Sequence, residues 1–182
     1  ASKTSPFAFY QFWLNQQDSM VASYLKMYTF IPVEEIDTLL SWHQENPGVR
    51  KAQKTLAQSV TALVHGERAA SAAAGASSAL FGDTGLSELD REARELVLKE
   101  VATLPVLKKD LLAGITVLDV LATSSLASSK GDARRLIEGK GVSLNGVSVS
   151  VDQKLVEGDF ANSLSMLKKG KSLLNEWLQR IL

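Results

Sequence analysis

The chain has 182 residues, 45% hydrophobic and 22% charged, with no cysteine and a formal net charge of zero. This excludes disulfides, cysteine-bound zinc and the heavy basic excess of a histone-like protein, and no apolar run approaches a membrane span. One medium domain, or a medium and a small one, fits this length. The neutral total hides an asymmetry: residues 1–107 hold 9 Lys/Arg against 12 Asp/Glu, and residues 108–182 hold 11 against 8.

In chain order, Ala-Ser-Lys-Thr-Ser-Pro lacks the apolar core of a secretory leader, and Ser5-Pro6 reads as a helix start. Phe7, Phe9, Tyr10, Phe12 and Trp13 crowd the next turns, and Phe9, Phe12 and Trp13 are expected to form one packed face. Asp18 is placed to cap a second helix carrying Val21, Tyr24, Leu25 and Tyr28. Pro32 opens a third with Ile36, Leu39 and Leu40 inward, ending at Asn46-Pro47-Gly48. His43 falls at the third helix's polar margin, which predicts a solvated ring. A fourth helix runs from about Val49 to Val64 with Ala52, Leu56, Val60 and Leu63 inward, and His65-Gly66 breaks it. His65 is expected to cap or pack at that end. The alanine-rich run from Ala69 to Leu80 favours helix, Phe81-Gly82 stops it, and Ser87-x-x-Asp90 predicts a capping box for a charged helix.

From Lys108 the texture changes. Thr116-x-x-Asp119 caps a short helix with Val117, Val120 and Leu121. Ser129 and Asp132 are expected to box the start of a basic helix, with Ala133, Leu136 and Ile137 on one face and Lys130 and Arg134 on another. Gly139 and Gly141 bracket Lys140 and end it. Asn145-Gly146 is a type I′ hairpin signal, and a two-residue loop pairs Leu144 with Val147 and Val142 with Val149, predicting one shared apolar face. Another strand is expected over Ser163 to Leu167. Leu173, Leu174, Trp177, Leu178 and Ile181 recur at helical spacing, which favours helix over residues 172–182, with a strand as the alternative. The fold class is mainly α: a helical bundle over 1–107, then a small α+β module over 108–182.

The order Ser129-Lys-x-x-Ala-Arg-Arg-Leu-Ile137, a glycine-bracketed turn and Val142-x-Leu-Asn-Gly146 resembles the small RNA-binding module shared by a ribosomal protein, pseudouridine synthases and bacterial-type tyrosyl-tRNA synthetases. The earlier chain narrows the choice. Lys3-Thr-Ser-Pro-Phe-Ala-Phe-Tyr-Gln-Phe-Trp-Leu-Asn15, Tyr24-Leu-Lys-Met-Tyr-Thr-Phe-Ile-Pro-Val-Glu-Glu-Ile36, Val60-Thr-x-Leu-Val-His-Gly-Glu67 and Ala79-Leu-Phe-Gly82 are similar to tyrosyl-tRNA synthetases. The resemblance implies a C-terminal piece of such a ligase: a helical anticodon-binding domain and an RNA-binding module.

By that resemblance the parent enzyme joins tyrosine to its tRNA through tyrosyl-adenylate, using ATP with magnesium. It is expected to be a homodimer through its catalytic domain, in the cytoplasm or the mitochondrial matrix. Neither a His-x-Gly-His motif nor a Lys-Met-Ser-Lys-Ser loop occurs here. The chain alone is therefore expected to be an inactive monomer with no catalytic residue, metal ligand or cofactor of its own. The family places an acid after the Phe-Trp-x-Asn helix to read the first anticodon base, which points to Gln17 or Asp18; for Asp18 a simple cap is the competing reading. Lys130, Arg134, Arg135 and Lys140 are the candidate phosphate contacts. Lys168, Lys169 and Lys171 match the family's basic ending, and an exposed turn is their alternative. A splicing-type RNA-binding protein and a purely helical interaction module are the rival functions.

Overall fold

A computed structural model describes residues 3–82, 85–124, 126–170 and the backbone of 176–181. The chain divides into two compact units, Ala1–Ser78 with Asp90–Leu96, and Ala79–Leu89 with Val97–Leu182.

The first unit is helical. α1 (Pro6–Leu14) starts where proline's fixed φ suits the first turn, and Ser5 Oγ accepts from the Ala8 N–H at 3.1 Å. α2 (Asp18–Tyr28), α3 (Val33–Glu45), α4 (Lys51–His65) and α5 (Glu67–Phe81, as far as Ser78) complete the unit with the first turns of α6 (Arg91–Glu100). Val21, Leu25, Ile36, Ala52, Leu56 and Val60 form one core; Tyr10, Leu14, Ala57 and Ala73 form another, with Leu96 against it. The small alanines of α5 let it pack closely.

Several expectations need correction. The buried face of α1 is Phe7, Tyr10 and Leu14, one step round from the expected one; Phe12 is 60% exposed. Phe9 and Trp13 are half-buried, in edge contacts that run from the ring of His65 through Phe9 and Trp13 to Tyr24. Leu63 is exposed, because the stripe of α4 that meets its neighbours is Gln53, Leu56, Ala57 and Val60. The cap of α6 is Asp90, whose Oδ1 accepts from the Ala93 N–H at 2.7 Å, while Ser87 sits in a short 3-10 turn. Asp18 is the first residue of α2, and Gln17 takes the cap position.

The second unit is a mixed five-stranded sheet with short helices. Its strands are β1 (Ala102–Val106), β2 (Val142–Leu144), β3 (Val147–Ser148), β4 (Leu164–Lys169) and β5 (Glu176–Ile181), in the order β1-β5-β4-β2-β3. Pro105 lies in an edge strand, where its missing N–H costs the ladder least. The helical spacing near the C-terminus does not hold: β5 pairs parallel with β1, Ala102 opposite Trp177, and antiparallel with β4, Leu164 opposite Arg180. Pairing on both edges satisfies the backbone more fully than a short amphipathic period can. Residues 172–175 and 182 of that expected helix lie outside the described residues.

α7 (Lys108–Leu112), α8 (Val117–Thr123) and α9 (Lys130–Glu138) accompany the sheet. The core joins Val117, Val120 and Leu121 of α8, Ala133 and Ile137 of α9, Val142 and Leu144 of β2, Leu155, and Leu167 of β4. Asn145 and Gly146 both have positive φ, 48° and 84°, as a type I′ turn requires. Asn145 also stitches the hairpin down. Its Nδ2 donates to the Asp159 carbonyl at 2.7 Å and its Oδ1 accepts from the Met166 N–H at 2.9 Å. Only three of the four expected hairpin residues are inward: Val147, on the outermost strand β3, is 71% exposed.

Candidate nucleic-acid interface

The basic surface of the second unit begins with two capped helices. The capping box of α8 is complete: Thr116 Oγ1 accepts from the Asp119 N–H at 3.2 Å, and Asp119 Oδ2 accepts from the Thr116 N–H at 3.4 Å and from its hydroxyl at 2.7 Å, which leaves Oδ1 to accept from Lys130 Nζ at 2.9 Å. The Lys130 bond, then the Thr116 hydroxyl, hold the Asp119 carboxyl below the usual aspartate range. At α9, Ser129 Oγ accepts from the Asp132 N–H at 3.2 Å as expected, but the reciprocal bond shifts by one residue. The Asp132 carboxylate takes the N–H and hydroxyl of Ser128, at 3.0 and 3.1 Å. Those two bonds lower the Asp132 carboxyl as well.

The expected cations divide into two groups. Lys168 Nζ donates to the Leu80 carbonyl at 2.5 Å and Lys169 Nζ to the Leu126 carbonyl at 2.7 Å, so both ammonium groups hold backbone of the second unit. Lys130 is paired with Asp119, and Arg135 stands 3.8 Å from Asp132 in a loose i,i+3 pair. Arg134 and Lys140 are exposed and make no ion pair or side-chain hydrogen bond among the described residues. Lys171 lies outside the described residues.

Lys140 has a second distinction. It sits just beyond Gly139 with φ 54°, and its N–H bonds the Ile137 carbonyl while the Gly141 N–H bonds that of Leu136, at 2.9 and 2.8 Å. These are the two bonds of a Schellman stop, whose left-handed position usually belongs to glycine. The chain puts a lysine there instead.

The other candidate pair, Gln17 and Asp18, lies at the junction of α1 and α2. There an open cleft of about 480 Å³ is lined by Gln16, Gln17, Asp18, Pro47, Gly48, Arg50 and Gln53. Arg50, at φ 55°, stands at the cap position just before α4 and sends its guanidinium to the Leu14 carbonyl at 2.6 Å, closing the C-terminal end of α1. Asp18 Oδ1 accepts from Gln53 Nε2, and His43 Nε2 lies 3.4 Å from the same oxygen. The ring of His43 is buried, contrary to its expected solvation, because position 43 continues the Ile36–Leu40 stripe. His43, Arg50 and Gln53 were not among the residues expected here. The available sequence signal was a polar side chain on an apolar helical stripe, at positions 43 and 53 alike.

No described helix is long and apolar enough to cross a membrane, and no three His, Asp or Glu side chains gather as a metal-binding group among the described residues. Neither ATP motif occurs in the sequence, and no chemical step is assigned to these residues.

Residues 1–82 match the family of tRNA synthetases class I (W and Y), and residues 117–160 match the S4 domain. The tyrosine–tRNA ligase of Anaeromyxobacter dehalogenans (strain 2CP-1) is 44% identical over 172 residues, covering 93% of this chain and 41% of that protein. Its counterpart in Bifidobacterium longum (strain DJO10A) is 41% identical over 185 residues, covering 96% and 41%. The solved structure of a C-terminally truncated Coccidioides posadasii mitochondrial tyrosyl-tRNA synthetase is 41% identical over 39% of this chain and 20% of that one, with a TM-score of 0.39. The chain spans about two fifths of the length of the curated relatives it matches, and aligns with their C-terminal part.

Proposed function

Because the chain belongs to the tyrosyl-tRNA synthetase family and aligns with the C-terminal part of its members, we propose that it is the tRNA-holding part of a tyrosine–tRNA ligase. The parent reaction attaches tyrosine to its tRNA through tyrosyl-adenylate, with ATP and magnesium supplied to the catalytic domain. That domain also carries the dimer contacts, and the setting is the cytoplasm or an organelle matrix. The present residues do the holding. The helical part takes the anticodon arm, whose unstacked bases offer polar edges to side chains such as Asp18 and Gln17. The terminal module takes phosphates, chiefly through Arg134 and Lys140.

The observation that carries this reading is the continuous similarity over 93% of the chain, which spans both the helical part and the S4 match in one order. Filter binding of tyrosine tRNA and a non-cognate tRNA, each across a salt series, tests it. The expected result is tighter binding of tyrosine tRNA, with affinity for both falling as salt rises by roughly 0.7–0.9 log units per log unit of salt for each phosphate held. Binding of neither RNA would overturn the proposal; equal binding of both would remove the anticodon part.

A further inference from the structure

Asp18 is held in an unusual way. Its side chain is 67% exposed, yet its partners Gln53 and His43 are only 2% and 6% exposed. Both converge on Oδ1, and Oδ2 has no partner among the described residues. The arrangement carries a cost: Gln53 Oε1 and His43 Nδ1 are buried without a hydrogen-bond partner. Stability does not explain it. An exposed carboxylate is satisfied by water, and an apolar side chain at position 53 would continue the Leu56, Ala57 and Val60 stripe with no unmet acceptor. What two buried donors on one oxygen do accomplish is to fix the carboxylate's rotamer and leave its second oxygen open at the edge of the cleft.

We infer that Gln53 and His43 are positioning residues: from the interior they clamp Asp18 Oδ1 so that Oδ2 is presented, already oriented, to an N–H donor edge of a nucleobase in the cleft. This rests on Asp18 reading an anticodon base. His43 acts here in the tautomer protonated at Nε2. A pre-set acceptor loses little freedom on binding, and a base with no donor to offer it leaves the carboxylate unmatched, so the clamp raises discrimination between bases more than total affinity.

The test uses the full chain and tyrosine tRNA transcripts carrying each of the four bases at the first anticodon position. Asp18→Asn should erase the preference among them. Gln53→Leu should reduce that preference about tenfold, the equivalent of one bond to a charged group, while the melting temperature holds or rises and the salt dependence is unchanged. His43→Phe should act in the same direction and His43→Gln, which keeps a donor, should restore the preference. If Asp18→Asn erases the preference but Gln53→Leu and His43→Phe retain it, the clamp is wrong and the reader stands. If Asp18→Asn retains it, the reader is wrong and the clamp falls with it. Should Gln53→Leu fail to fold, the two His43 variants decide alone.

Discussion

The two units handle polar groups in opposite ways. In the helical unit, buried neutral side chains, Gln53 and His43, grip one exposed carboxylate from inside. In the terminal unit half of the six described candidate cations are already committed: Lys130 to Asp119, Lys168 and Lys169 to backbone carbonyls. The first arrangement suits reading one donor at short range. Under the proposed function, the second leaves Arg134 and Lys140 among the candidates for long-range attraction to phosphate. Phosphate contacts position a complex and base contacts specify it, so the two units should differ in salt dependence and in selectivity. A cation count alone would have treated all the basic residues as equivalent.

The largest effect should come from breaking the terminal unit outright. Leu121 is fully buried among Val117, Val120 and Ile137. Leu121→Ala should cost about 2–5 kcal/mol in denaturant unfolding, by lost burial and the cavity left behind. It should also abolish most salt-sensitive RNA binding. If that binding survives in the unfolded-module variant, the phosphate contacts lie elsewhere.

Next comes Arg134→Ala with Lys140→Ala. Removing two unpaired cations should weaken tyrosine and non-cognate tRNAs alike, by about 1–2 kcal/mol at low salt, and reduce the salt slope by roughly 1.5. Lys169→Met is its counterpart, because that ammonium holds the Leu126 carbonyl. It should lower stability by about 1 kcal/mol and leave the slope nearly unchanged. An equal slope change in both variants would erase the division between free and committed cations.

Asp119 offers a smaller test through pH. Its folded carboxyl titrates below the ordinary aspartate value, chiefly through Lys130 and then Thr116. Its contribution is therefore complete above the unfolded value of about 3.9 and is lost as pH falls through the lower folded value. The pair is exposed and screened, so the effect at neutral pH should stay under about 1 kcal/mol. Stability against pH between about 2 and 5 should be flatter for Asp119→Asn than for the unaltered chain; an identical acid limb would mean the pair contributes nothing.

Legibility followed the range of the interactions. Ser5-Pro6, the Thr116 box and the Asn145-Gly146 turn are settled within four residues, and each stands where the pattern put it. β5 was not legible, because its pairing with β1 joins Ala102 to Trp177 across most of the second unit, against a local period that favours helix. The two-residue turn at Asn162-Ser163 was missed for a local reason. Both residues have positive φ, 51° and 64°, between Ala161 and Leu164, which exchange both backbone bonds, but the second position is not the glycine that marks such turns. At the cleft the apolar stripes were visible, and His43 and Gln53 broke them; which carboxylate they broke them for depends on how α2, α3 and α4 come together.

The left-handed residues give the finest test. Lys140 and Ser163 both occupy φ values that glycine takes without strain, 54° and 64°. Replacing either by glycine should relieve roughly 1 kcal/mol of backbone strain, partly offset by the greater freedom of glycine in the unfolded chain, for a net gain of at most about 0.5–1 kcal/mol. By stability alone the two substitutions are near twins. They should part on RNA. Ser163→Gly should leave tRNA affinity as it was, whereas Lys140→Gly should weaken it and remove close to one phosphate's share of the salt slope. A chain that is more stable and binds less would explain why a lysine stands where a helix stop favours glycine. Unchanged binding by Lys140→Gly would return that residue to an ordinary solvated turn, and leave Arg134 as the one candidate phosphate contact that is unpaired among the described residues.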